Sequence, residues 1–143
     1  MNRAQKFLRA VCVVEIVASI VNFIFWGAVM ILGAQSWDTV LDLTAEYSVS
    51  TTYLTVSFII YTVMLLAEIY LGFTGFHAAK HTEEIGKLFV VGLVFLIFLC
   101  VEIAIELMCG SLPEAETLID LLLASLILYS TNNVRKTLDE ELI

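Results

Sequence analysis

Basic residues are scarce in this chain: seven Lys and Arg stand against fifteen Asp and Glu, for a formal charge of −8. Nucleic-acid binding draws on clustered basic side chains, so that class is excluded. Proline occurs once, at Pro113, and no linker or low-complexity run divides the chain. It reads as a single domain over 1–143, ending in a short charged tail, 135–143. The three cysteines, Cys12, Cys100 and Cys109, include no Cys-x-x-Cys pair. On one helix Cys100 and Cys109 would stand roughly 13 Å apart, beyond disulfide reach. They read as packing residues. No glycine-rich phosphate loop, His-Glu-x-x-His or Gly-x-Ser-x-Gly motif occurs. Nothing specific therefore calls for an enzyme. A haem on His77 or His81 would find no histidine on a second helix.

What the chain does have is apolar length. It is 60% hydrophobic, with a mean hydropathy of +0.95. A membrane-crossing helix needs about 20 mostly apolar residues. Four stretches qualify: 8–34, 53–79, 88–109 and 112–134. The last is the weakest, because Glu114, Glu116 and Asp120 crowd its start. Ser111 with Glu114 has the pattern of a capping box there, and Pro113 suits the first positions of a helix. The N-terminal basic residues resemble a signal-peptide n-region. However, the apolar stretch is long, holds Glu15 and Asn22, and ends at "ILGAQS", a poor small-x-small cleavage site, so the first helix is expected to be retained.

Arg3, Lys6, Arg9, Lys80, Lys87, Arg135 and Lys136 fall at the N-terminus, between the second and third spans, or at the C-terminus. Positive charge marks the cytoplasmic side. The expectation is an all-α integral protein of a cytoplasmic-type (plasma) membrane: an up-down antiparallel bundle of four transmembrane helices with both termini in the cytoplasm. In the first outer loop, "SWDTVLDLTAEY" sets Asp38, Asp42 and Glu46 four residues apart, with Val40, Leu43 and Tyr47 on the other side. This pattern predicts a short amphipathic helix on the outer surface.

Carboxylates are costly in hydrocarbon and rarely stand there without a role. Read at 100° per residue, Glu15, Ser19, Asn22 and Trp26 share a face of the first helix. Glu68 shares a face of the second with Gly72, Gly75 and Ala79, small residues that mark close helix approach. Phe95, Glu102, Glu106 and Cys109 form a stripe on the third, and Glu116, Asp120, Ala124 and Ile127 form one on the fourth. Counted from the turn at Gly110, Glu106 comes level with Glu116, and Glu102 with Asp120. Four carboxyls meeting without a base require protons or a bound cation. Oxygen ligands suit Ca²⁺ or Mg²⁺, so Glu102, Glu106, Glu116 and Asp120 are candidate ligands of a hard cation. Glu15 and Glu68, with Asn22, form a candidate proton or cation relay nearer the inner side. His77, His81 and Glu84 recur at metal-ligand spacing on an extended second helix.

The leading expectation is a small membrane protein that binds or translocates cations or protons through intramembrane carboxylates. One alternative is a non-catalytic accessory subunit, whose acids meet bases on a membrane-protein partner. Another is a membrane enzyme of unspecified chemistry. Membrane lipid is the constant neighbour, and four helices leave little room for a central pore, so conduction would favour a homo-oligomer.

Overall fold

The structure is a computed structural model, and it describes residues 1–35, 51–108, 110, 112–113 and 115–141. Among these the chain is helical without strands. Four helices follow one another: α1 (Arg3–Gln35), α2 (Thr51–Ala78), α3 (Ile85–Met108) and α4 (Ala115–Glu141), with one 3₁₀ turn, Thr82–Glu84, before α3. Each contains a stretch long and apolar enough to cross a membrane. The outer-loop helix expected around Asp38, Asp42 and Glu46 lies outside the described residues. So do Cys109 and the Ser111 and Glu114 of the expected capping box.

The helix ends follow from local chemistry. The Asn2 side chain accepts from the Gln5 amide at 2.9 Å, and the Gln5 side chain accepts from the Asn2 amide at 2.6 Å. This reciprocal capping box satisfies two of the donors orphaned at the start of α1. Gly110 takes φ 78° after α3, and its amide bonds the Leu107 carbonyl at 3.1 Å. A left-handed residue is a common helix stop, and glycine reaches it without penalty. Pro113 lies just ahead of α4, where its missing N–H costs nothing. The charged stretch from Arg135 continues α4 through Glu141. Leu138 packs against the core, and Thr137 accepts from the Asn2 amide side chain at 3.3 Å.

The helices pack in a ring: α1 on α2, α2 on α3, α3 on α4, and α4 back on α1. Inside the ring, at the end that holds Asn2 and Thr137, sit Leu8, Cys12, Leu71, Leu88 and Val134, all fully buried. In lipid, helix association gains little from the hydrophobic effect and depends on close van der Waals contact. Gly72 and Gly75 supply that contact. A Cβ at Gly72 would come within 2.6 Å of Ile16 Cγ1, and one at Gly75 would collide with Cys12 Sγ. The outward faces carry large apolar side chains, such as Ile24, Phe25, Val63, Phe98 and Leu122, all well exposed. Such a surface suits hydrocarbon and not water.

Candidate functional site

The carboxyls gather in the other half of the bundle. On α1, Glu15 and Ser19 are 1% and 2% exposed. The Ser19 hydroxyl donates to the Glu15 carbonyl at 2.8 Å, a bond to the preceding turn that keeps a polar side chain tolerable in a helix. Both carboxylate oxygens of Glu15 are buried without a hydrogen-bond partner. On α2, Glu68 is 3% exposed, and its carboxyl lies within hydrogen-bonding reach of Ser19 and Asp120.

The register of α1 against α4 explains why Asp120 is there. Asn2 and Thr137 touch at the end of the bundle. At 1.5 Å per residue, about 25 Å of travel inward from that contact reaches Ser19 on α1 and Asp120 on α4 alike. Asp120 lies at the centre of the acidic group. Besides its bond to Glu68, it is within electrostatic reach of Glu15, Glu102 and Glu116.

Above Glu68, two turns along α2, the Tyr61 hydroxyl donates to Glu116 Oε1. Trp26 of α1 covers this pair. Its ring lies 4.6 Å from Tyr61, edge-on, and 5.7 Å from Phe58, stacked. Beside them, between α1 and α4, runs a groove of about 400 Å³ lined by Ala18, Val21, Asn22, Glu116, Ile119 and Asp120.

The bases of α1 and α4 stand off from Glu15 and Asp120. Arg9 is six residues before Glu15, roughly 9 Å along the axis, and its guanidinium lies 4.2 Å over the Phe76 ring. Arg135 is fifteen residues past Asp120, roughly 22 Å away. Two ionised carboxylates are acceptors only, so the Glu68–Asp120 hydrogen bond requires a proton on one of them. The Ser19 hydroxyl cannot supply it, because its single proton goes to the Glu15 carbonyl. From the groove the polar groups run Asp120, Glu68, Ser19, and the Glu15 carboxyl stands beside them without a hydrogen-bond partner. Beyond them lie the packed side chains of Leu8, Cys12, Leu71 and Leu88.

Asp120 thus joins residues that sequence reasoning had divided between an outer set and an inner relay. Glu102 is within electrostatic reach of Asp120. Glu106 and Asn22 are half-buried. Among the described residues, no three His, Cys, Asp or Glu side chains converge as metal ligands. In the outer set, Glu116 is engaged by Tyr61 and Asp120 by Glu68. At the opposite end, α2 stops at Ala78, so His81 and Glu84 do not extend the helical face of His77. His81 instead stacks on His77 at 4.3 Å and places Nδ1 3.5 Å from Glu83 Oε1. Tyr61 is the site residue that sequence reasoning missed. Its signal was present, seven residues before Glu68 on the same face of α2.

No family model matches the chain, and no curated protein or solved structure matches it either.

Proposed function

We propose that this chain is a small integral membrane protein that takes up and passes protons through Glu15, Glu68 and Asp120. One observation carries the reading: the Glu68 and Asp120 carboxyls lie within hydrogen-bonding reach of each other, next to the buried Glu15 carboxyl, whose oxygens have no hydrogen-bond partner. Such an arrangement holds a proton in place of a counter-ion. Asp120 also borders the groove, which makes it the exchanging end of the path. The tight apolar packing beyond Glu15 favours transfer coupled to a rearrangement over an open wire.

In this reading the four helices cross the plasma membrane in alternating directions. Both termini lie in the cytoplasm, on the side of the basic residues. The acidic half then faces outward. A reporter fused to the C-terminus is accessible from the cytoplasm only, and a periplasmic or extracellular signal would overturn the orientation.

Proton passage is tested in liposomes with an imposed pH gradient and a trapped pH-sensitive dye. Wild type dissipates the gradient. Glu68→Gln and Asp120→Asn each slow this at least about tenfold, since an amide cannot release a proton at the shared position. Rates equal to wild type in both variants would refute the reading.

A further inference from the structure

The groove between α1 and α4 is larger than a proton path requires. Its volume, about 400 Å³, falls in the range of small-molecule sites, roughly 300–1,000 Å³. Its walls are of two kinds. Ala18, Val21 and Ile119 are apolar, while Glu116 and Asp120 are acidic, with Asn22 between them. Val21 and Ile119 are 57% and 54% exposed. They lie on the outward surface of the bundle, so the groove opens sideways toward lipid. Outside the lining, the Tyr61 hydroxyl donates to Glu116, and Trp26 packs on Tyr61. Behind Asp120, within electrostatic reach of it, the Glu15 carboxyl is buried and its oxygens have no hydrogen-bond partner.

These features select an occupant. A bare divalent ion would need several converging ligands, and among the described residues no such set exists. An anion would meet Glu116 and Asp120. A neutral apolar molecule would leave them uncompensated. We infer that the α1–α4 groove binds an amphipathic organic cation, an ammonium carrying an apolar group, which enters from the bilayer and sets its charge against Asp120 and Glu116. The apolar group lies along Ala18, Val21 and Ile119. The inference rests on the proton reading in one respect: cation and proton compete for Asp120, so binding releases the proton shared with Glu68. The groups that face Asp120 are Glu15 from α1, Glu68 and Tyr61 from α2, Glu102 from α3 and Glu116 from α4.

The probe is benzyltrimethylammonium, whose charge is permanent, so any proton released comes from the protein. Calorimetric titration of the purified full chain in detergent, in two buffers of different ionisation enthalpy, reads affinity and proton release together. Wild type is expected to bind saturably with net proton release, and benzylsulfonate, of similar size and opposite charge, is expected not to bind. Asp120→Asn is expected to lower the affinity at least about tenfold, or 1.4 kcal/mol. Ile119→Trp, which fills the groove from an exposed helix face and so spares the fold, is expected to do the same. Absence of saturable binding to wild type overturns the inference, as does equal binding of benzylsulfonate or unchanged affinity in Ile119→Trp. If flux needs Glu68 and Asp120 but the ammonium does not bind, the groove proposal fails and the proton reading stands. If the ammonium binds through Asp120 without any proton flux, the groove is a cation site and the proton reading fails.

Discussion

The two halves of this bundle are built to opposite rules. At the end that joins Asn2 to Thr137, burial is apolar and backbones approach closely across Gly72 and Gly75. In the other half, the same four helices surround Glu15, Glu68 and Asp120 and leave a groove between α1 and α4. Apolar and acidic burial are thereby separated along the length of the bundle. Four helices of about 30 residues have little core to spare. Placing carboxyls in half of it gives up packing there, and tighter packing in the other half offsets the loss.

That contrast can be broken by substitution, and the largest effect belongs to the packed half. Leu88→Ala removes a fully buried side chain and should cost about 3 kcal/mol through the cavity it leaves. Unfolding in mixed detergent measures this loss, while proton flux per folded molecule stays at the wild-type level. Gly75→Val should cost about 2 kcal/mol by forcing α2 away from Cys12. It should shift the same unfolding midpoint, and Cys12→Ala should partly restore it.

Substitutions in the acidic half should act the other way, with little change in stability and a large change in flux. Tyr61→Phe removes the hydroxyl that donates to Glu116 and should cost about 1 kcal/mol. A cost above that of Leu88→Ala would show that the acidic half is the more important for folding. Glu15→Gln should be smallest of all, within about 0.5 kcal/mol of wild type. It retains the shape of a side chain whose carboxylate oxygens make no hydrogen bond in this structure. Millimolar Ca²⁺ or Mg²⁺ should leave the melting temperature unchanged, because among the described residues no three potential ligands converge on one point. A rise that disappears in Glu102→Gln would restore a divalent-cation site to this half.

Much of this was legible in the sequence, for identifiable reasons. Hydropathy located the four spans, because hydrocarbon demands unbroken apolar length. Helical periodicity found the inward faces, and Glu15, Ser19, Glu68, Ala124 and Ile127 on them are buried. It could not order the helices around the ring. Periodicity says which face of α4 points inward but not that α1 and α2 both meet it, so Glu68 was assigned Glu15 as its partner and not also Asp120. The start of α1 was placed at Leu8, because the apolar run begins there. The Asn2–Gln5 cap, with Arg3 and Lys6 between and beside its partners, belongs to the polar approach to the membrane. The 3₁₀ turn at Thr82–Glu84 escaped notice because "HAAKHTEE" holds no Gly or Pro to mark a break.

The central claim is that Glu68 and Asp120 share a proton inside the acidic half. Infrared spectroscopy of the protein in membranes tests it directly, since a protonated carboxyl has a C=O stretching band distinct from the carboxylate bands. Wild type should show such a band, and it should be lost or displaced in both Glu68→Gln and Asp120→Asn, because each variant removes one partner of the same hydrogen bond. A wild-type spectrum with carboxylate bands alone, or a carboxyl band that survives both substitutions unchanged, would contradict the account.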